Sequence, residues 1–386
     1  MHSIAHFFEV MKQSKVAFIG TGVTNHDIIR LFRKKGIAVT LLDRKSPEQL
    51  GAVYQEYQEL GVTFCLGDGY LDCLTEYDVV FRSPGMYYHN EKLQAARKAG
   101  VVITSEMEVF FALCPCKIFG VTGSDGKTTT TTLIAEMLQA AGKTVWVGGN
   151  IGKPLLPDAE MMEPEDFAVV ELSSFQLMTM QTSPHIAVTT NLAPNHLDVH
   201  KDYQEYVDAK ANIFTHQNTG DIAVFNADND DTVRQAAKAV GEVRWFSRKQ
   251  RVENGVFCEN GVIYEAVNGA VTPIMETKDV LLPGVHNIEN YMAAFAAVRG
   301  MVSYETMRNI ARTFGGVEHR IELIRTRKGV RWYNDSIASS PSRTIAGLNS
   351  FPEQVILIAG GKDKGISYAP LGPVVNDHVK LLLLCG

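Results

Sequence analysis

Short apolar runs recur along the chain, each closed by a polar or glycine-containing turn and followed by a stretch with helical spacing. Val16-Ala17-Phe18-Ile19 runs into Gly20-Thr21-Gly22, and an amphipathic stretch over about residues 26–35 follows, stopped by Gly36. Ala38-Val39-Thr40-Leu41-Leu42-Asp43, Asp78-Val79-Val80-Phe81 and Val101-Val102-Ile103 continue the series. Strands alternating with helices predict a parallel sheet covered on both faces. A second series opens at residues 116–121, passes through a Thr-rich helix, and continues with Ala168-Val169-Val170-Glu171, the run at 186–191 and Ile222-Ala223-Val224-Phe225-Asn226. Residues 251–282 are more polar, with Gly and Asn turns, and read as hairpins; residues 286–298 read as an Ala-rich helix. A third region begins near Gly315-Gly316 and holds β-rich runs at 329–335 and 354–361. It ends on Lys380-Leu381-Leu382-Leu383-Leu384-Cys385-Gly386, a buried-strand pattern with nothing after it, so this region is expected to be partial. The pattern predicts an α/β chain with domains over residues 1–108, 109–314 and 315–386.

Composition narrows the classes. At roughly 150 residues per domain, 386 residues correspond to two or three domains. Hydrophobic residues at 45% and charged residues at 21% describe a chain that buries a core, which argues against disordered and fibrous classes. The net charge of −6 argues against nucleic-acid binding through bulk positive charge and leaves small anions in a local pocket as candidates. The start lacks a basic segment followed by a long apolar run, and the longest apolar runs fall far short of the ~18 residues a membrane span needs. The six scattered cysteines read as reduced thiols of a cytoplasmic protein. Cys114-Pro115-Cys116 has no second pair at metal-site spacing, so core or loop cysteines are the reading, with a metal or redox pair as the rival.

The strongest chemical signal is Gly120-Val121-Thr122-Gly123-Ser124-Asp125-Gly126-Lys127-Thr128-Thr129, where an apolar strand enters a glycine turn and then a helix. Backbone amides at such a helix start cradle phosphate, the lysine reaches the outer phosphates and the first threonine binds Mg²⁺. The longer Gly-x-x-x-x-Gly-Lys-Ser/Thr form fails at Val121, so the match is to a shorter Thr-Gly-x-x-Gly-Lys-Thr form. Gly20-Thr21-Gly22-Val23-Thr24-Asn25 resembles a dinucleotide turn, but Asn25 replaces the third glycine and leaves close helix–strand packing open. A nucleotide other than NAD(P), NAD(P) itself, or a plain turn all fit; Arg44 and Lys45 beside Asp43 favour a phosphate-bearing ligand. Glu171 ends a strand, where α/β sheets bind ligands, and is either a Mg²⁺ ligand or a solvated loop residue. His196 and His200 could be read as a zinc pair, but no third soft ligand lies nearby in sequence.

These motifs together resemble the Mur ligase family, and most of all its D-glutamate-adding branch. The resemblance rests on the phosphate loop, Gly149-Asn150-Ile151-Gly152, Glu171-Leu172-Ser173-Ser174-Phe175-Gln176-Leu177 and Asn195-His196-Leu197-Asp198. Ala209-Lys210, His286-Asn287, Glu318-His319-Arg320 and Asn334-Asp335-Ser336 extend it over essentially the whole chain. The resemblance implies a Rossmann-like N-terminal domain, a central P-loop ATPase domain and a Rossmann-like third domain. It implies UDP-N-acetylmuramoyl-L-alanine, D-glutamate and ATP as substrates, with Gly22, Val23, Thr24, Asp43 and Arg44 near the UDP part. Gly123, Ser124, Asp125, Gly126, Lys127, Thr128 and Thr129 would hold ATP, helped by Asn287, Asn290, Arg320 and Asp335. Thr128 and Glu171 would bind one Mg²⁺, and His196 and Lys210 a second. Asn150 and Ser173 would lie by the acceptor and Lys364 by D-glutamate. The catalytic set implied is Lys127, His196, Lys210 and Arg320.

In this family the lysine matching Lys210 is carbamylated, which turns a cation unable to ligate metal into an anionic oxygen donor. On residues alone, a lysine in a helix over 203–214 reads as a surface charge. Two departures stand out: Ile337 replaces the family's lysine after Asn334-Asp335-Ser336, and the third domain ends early, so D-glutamate is expected to bind poorly. A monomer without nucleic-acid or membrane partners is expected. Rival readings are a sister ligase using another amino acid, a nucleotide-binding chain without ligase activity, and a Rossmann dehydrogenase.

Overall fold

In the computed structural model, which describes residues 3–196, 199–338, 341–361 and 367–385, the apolar runs of the first region are strands. They are β1 (Val16–Ile19), β2 (Val39–Asp43), β3 (Thr63–Leu66), β4 (Val79–Arg82) and β5 (Val102–Thr104). They pair in parallel in the order β3-β2-β1-β4-β5. All four residues of β1 are buried, as expected of a central strand covered on both faces. Phe18 and Phe81 stack with ring centroids 4.6 Å apart, and Phe32, from the helix Val23–Lys34, meets both edge-on at 5.3 Å. The strand order reverses between β1 and β4, and the crevice at their C-terminal ends is where such sheets take ligands.

The helix after β1 starts at Val23, earlier than the amphipathic pattern indicated, with Gly22 as its N-cap. Asn25 closes the question that the missing glycine raised. It is buried, and its Nδ2 donates to the carbonyls of Ile19 at 2.8 Å and Gly20 at 3.0 Å. The helix is fastened to the end of β1 by hydrogen bonds where the glycine version relies on close approach.

The middle region adds β6 (Lys117–Thr122), β7 (Val145–Gly149), β8 (Phe167–Glu171), β9 (Ile186–Thr189) and β10 (Ile222–Asn226). These run parallel in the order β10-β9-β6-β8-β7, with the first strand in the centre. The chain divides into two compact units, residues 1–127 with 142–244, and residues 128–141 with 245–386. The ten strands described so far all lie in the first unit. Within it, buried Arg82 ties the two sets together, its Nη2 donating to Phe175 O at 3.2 Å and its Nη1 to Met86 O at 2.6 Å. Lys35 Nζ and Glu160 form a second tie at 2.6 Å.

In the second unit, the end of β11 (Glu242–Ser247) pairs in parallel with β12 (Gly255–Glu259). The hairpins expected over 251–282 are β12, β13 (Val262–Val267) and β14 (Ala270–Glu276), all antiparallel. The Ala-rich helix is Val285–Val298, buried almost throughout from Asn290 onward. The third region holds the antiparallel pair β15 (Glu322–Arg327) and β16 (Val330–Asn334), and the parallel pair β17 (Val355–Gly360) and β18 (Val379–Cys385). The run at 380–385 is therefore a strand, but not a buried one: Leu384 is 77% exposed, since two strands offer little surface to cover one another.

Glu106 shows what burial does to a carboxylate in the first unit. It opens the helix Glu106–Leu113, capped by Ser105, and its Oε1 accepts from the amides of Leu155 and Leu156, both at 2.9 Å. Burial outweighs those two bonds, and the carboxyl is pushed up to about 7 from an ordinary 4.5. Between these values the folded chain holds a proton that the unfolded chain releases, so this group's contribution to stability falls as pH rises from 4.5 to 7. Glu106→Gln keeps an acceptor and removes the titration. It is expected to be more stable than the wild type at pH 8 by up to roughly 3 kcal/mol, the gap closing toward pH 5. Urea unfolding midpoints at the two pH values check this, and an equal gap at both would contradict it.

Candidate active site

The strand β6 ends at Thr122, and Val121, the residue that breaks the longer phosphate-loop pattern, is a fully buried strand residue paired with Val188 and Glu171. The loop begins only after it, which is why the shorter motif applies. Gly123 has φ +146°, and a Cβ there would stand 1.9 Å from Thr190 Oγ1 and 3.1 Å from Asn191 O, so no other residue fits. The turn is locked against the end of β9. Ser124 N donates to Asn191 O at 2.9 Å, Asp125 N donates to Asn191 Oδ1 at 3.0 Å, and Thr190 Oγ1 donates to Asp125 O at 2.6 Å. Ser124 Oγ donates to Ala193 O at 2.9 Å and meets Tyr206 OH at 2.8 Å, so its side chain holds the loop in shape.

Lys127 opens the helix Lys127–Ala140, whose first amides have no partner within the helix. Its Nζ turns back and donates to the carbonyls of Gly123 and Ser124, both at 3.0 Å. The buried Lys210, on the helix Tyr203–Ala211, also reaches this turn. Its Nζ donates to the same Gly123 carbonyl at 2.9 Å and to Thr122 Oγ1 at 3.1 Å, over the Tyr206 ring at 4.9 Å. The surface position that residue type alone indicated is thus replaced by a core one, 3% exposed. Burial, then the charge of Lys127, hold its amine well below the ordinary lysine range, against smaller opposing pulls from Glu171 and Asp125.

Glu171 ends β8 and is buried, its Oε1 accepting from Asn150 Nδ2 at 2.7 Å. Asn150 N also donates to Glu171 O at 2.8 Å. Gly149 permits this approach, since a Cβ on it would lie 2.3 Å from Glu171 O. Asn150 is therefore a partner of Glu171 as well as a candidate for the acceptor. Ser173 caps the short helix Ser174–Leu177 in a reciprocal box with Gln176. His196 has the left-handed φ of 54° and sets its ring edge-on to Phe175 at 5.2 Å. Leu197, Asp198 and Lys364 lie outside the described residues. The His200 ring is buried against Ser174 and Glu205.

At the first sheet, Gly22, Val23 and Thr24 start the helix after β1. Asp43 ends β2 with its Oδ1 accepting from Lys45 N at 2.9 Å, and Arg44 is exposed. Gly20 approaches Ser83, in the turn after β4. Sequence reasoning missed Arg82, Thr190 and Tyr206; strand ends at a strand-order reversal point to the first two, and nothing local points to Tyr206, inside the helix Tyr203–Ala211.

In the second unit, Thr128 and Thr129 lie in the first turn of the helix Lys127–Ala140. Thr130 Oγ1 donates to Asn290 Oδ1 at 3.4 Å, and Asn290 Nδ2 donates to Asn287 Oδ1 at 3.1 Å. The two asparagines, three residues apart on the helix Val285–Val298, thus meet the helix that carries the threonines through Asn290. Asp335 Oδ1 accepts from Ile321 N at 3.2 Å; burial raises its carboxyl, partly offset by that bond and by Arg320. Arg320 sits between His319 and Ile321, both at positive φ, a costly state for a branched isoleucine. Ile337 is 41% exposed.

The comparisons with known proteins run the length of the chain. The Mur ligase middle domain family matches residues 121–298, and the Mur ligase MurD-like N-terminal domain family matches residues 14–105. A UDP-N-acetylmuramoylalanine–D-glutamate ligase of Acetivibrio thermocellus is 50% identical over 380 residues, 98% of this chain and 82% of its own length. The like-named protein of Clostridium botulinum (strain 657 / Type Ba4) is 49% identical over 384 residues, 100% of this chain and 83% of its own. Among solved structures, MurF from Acinetobacter baumannii matches with a TM-score of 0.58 at 16% identity, covering 98% of this chain and 84% of its own. The UDP-N-acetylmuramate-alanine ligase MurC from Thermotoga maritima gives 0.58 at 19% identity, covering 96% and 85%. At that identity the structures speak to the fold alone.

The geometry of the turn makes Gly123 its tightest point. Gly123→Ala is expected to displace the loop and weaken nucleotide binding by tenfold or more, whereas Gly220→Ala, with nothing within 4 Å, should not. Calorimetry with a non-hydrolysable ATP analogue reads both; equal affinities would remove the loop from the binding site.

Proposed function

The chain belongs to the Mur ligase family, and we propose that it joins D-glutamate to UDP-N-acetylmuramoyl-L-alanine, converting ATP to ADP and phosphate. One observation carries the site assignment: Lys127, Glu171 and the buried Lys210 gather around the turn 122–126 at the C-terminal ends of parallel strands. That is a phosphate-binding turn with a carboxylate beside it, the equipment for phosphoryl transfer to a carboxylate. The relatives that match over the full chain are named for D-glutamate addition, and this supports the amino acid assigned.

In the reaction proposed, a carboxylate oxygen of UDP-N-acetylmuramoyl-L-alanine attacks the γ-phosphorus of ATP, and the bond to the ADP oxygen breaks. The resulting acyl phosphate is attacked by the neutral amine of D-glutamate; the new C–N bond forms, phosphate leaves and the amine gives up a proton. Lys127 leaves its two loop carbonyls to meet the phosphates and offsets their growing charge, with Arg320 assigned the same part by resemblance. Gly123 to Thr129 bind the phosphates, and Asn287, Asn290 and Asp335 are assigned to the nucleotide. Gly22 to Thr24 with Asp43 and Arg44 take the UDP part. Asn150 and Ser173 face the acceptor, and Lys364 is assigned to D-glutamate.

The donors suit Mg²⁺, which prefers carboxylate, hydroxyl and phosphate oxygens. Thr128 and Glu171 would hold one ion, and His196 with Lys210 a second; the ions would neutralise phosphate charge. For the second ion, Lys210 has to become an oxygen donor. Its burial and the neighbouring Lys127 favour the neutral amine, the form that adds CO₂. The amine nitrogen bonds the carbon of CO₂, one N–H proton is released and an anionic carbamate results. Among the described residues no helix is long and apolar enough to cross a membrane. We place the enzyme in the cytoplasm, where its nucleotide substrates are available, in peptidoglycan precursor synthesis.

An amino-acid panel in a phosphate-release assay tests the reading directly. Phosphate should appear only with ATP, the UDP precursor and D-glutamate together; release with another amino acid instead would make this a sister ligase. Lys127→Ala should lower turnover by on the order of 10²-fold or more, with UDP-precursor affinity little changed. With ¹³C-bicarbonate, the wild type should show a carbamate carbon resonance that Lys210→Ala lacks. The same spectrum in both proteins would refute carbamylation at Lys210.

A further inference from the structure

Around the phosphate turn, His200 has no part in the reaction proposed, yet its ring is among the best held. The side chain is 0% exposed. Glu205, a carboxylate, can only accept, so Nδ1–H donates to Glu205 Oε2 at 3.2 Å, while Nε2 shares a hydrogen bond with the Ser174 hydroxyl at 2.9 Å. The ring stacks on Phe175 at 5.2 Å and 6°, and meets Tyr206 edge-on at 5.4 Å and 80°.

Each neighbour leads to a different site residue. Phe175 braces the His196 ring at 5.2 Å, and His200 N donates to His196 O at 3.0 Å. Tyr206 bonds Ser124 Oγ at 2.8 Å through its hydroxyl and lies 4.9 Å below Lys210 Nζ through its ring. Ser174 follows Glu171 by three residues on the same segment. On the far side, Glu205 Oε1 lies 3.4 Å from His89 Nε2, on the chain that leaves the Ser83-Pro84-Gly85 turn.

We propose that His200 is a positioning residue of the ligase: through Phe175, Tyr206 and Ser174 it sets the register between His196, the phosphate turn and Lys210 without touching substrate. The proposal rests on the ligase reading above. The position needs a flat ring for two aromatic contacts and a hydrogen-bonding nitrogen on each side. Glutamine supplies hydrogen bonds without the ring; phenylalanine supplies the ring without hydrogen bonds. Misplacing reacting groups by about 1 Å costs on the order of 10²-fold in rate, so the loss belongs in kcat and not in KM.

The test uses the full chain with His200→Ala, His200→Gln and His200→Phe, and Lys201→Ala as a control whose exposed side chain takes no part. Phosphate release gives kcat and KM, and hydrogen exchange over residues 190–203 reports the amides of Val199 and His200, both bonded to His196 O. His200→Ala is expected to lower kcat at least tenfold with KM for the UDP precursor within threefold, and to speed that exchange. His200→Gln should recover part of the rate. If the alanine variant does not fold, the glutamine and phenylalanine variants carry the same comparison. A kcat within twofold of wild type, or one that falls only in proportion to the folded fraction, overturns the proposal. If the wild type releases no phosphate with D-glutamate, the ligase reading fails, and exchange alone decides. Faster exchange with an unchanged unfolding midpoint then sustains the positioning role, and unchanged exchange overturns it.

Discussion

Two lysine side chains donate to one carbonyl, that of Gly123. Much of the site follows from that crowding. The carbonyl is available to both because the residue lacks a side chain and bends with φ +146°, a conformation that Thr190 and Asn191 enclose. Two ammonium groups this close repel, and the deeper one yields, because it is also the one cut off from water. Lys210, packed over Tyr206, is the one whose amine is held well below the ordinary lysine range. The turn thereby places two chemically identical residues in unlike surroundings, one at a helix start and one in the core.

The strand framework was readable because buried parallel strands are nearly continuous apolar runs, and the strongest turn was readable because glycine, lysine and threonine each answer one demand of phosphate. The character of Lys210 was not readable from residue type, since a helix with alternating polar and apolar positions does not reveal which face meets the sheet. Only the resemblance drew attention to it. Val121 was legible as an exception but not as a reason: it is a strand residue, and the exception vanishes once the loop is seen to start later. Arg82, Thr190 and Tyr206 left no mark in sequence. Their work is to hold groups distant in the chain, such as the Ser124 hydroxyl that Tyr206 meets across 82 residues, and no local pattern encodes that.

Several polar residues of the site carry two duties. Ser173 and Ser124 stand in motifs as ligand-binding candidates, while their side chains close a helix cap and a loop. Asn150 stands as an acceptor-side residue and lies bonded to Glu171. A side chain can keep both duties, but the structural one sets where it is when substrate arrives, and so limits what a substitution there can report about binding alone.

Asn25 carries a lesson about how such sites diverge. In a glycine-based turn the third small residue lets helix and strand touch; here an amide side chain spans the gap and satisfies the carbonyls of Ile19 and Gly20. The two solutions cannot be exchanged one residue at a time. Restoring glycine alone would strip the carbonyls of Ile19 and Gly20 of this donor before the helix could move in. Asn25 thus hides the turn from any search that counts glycines.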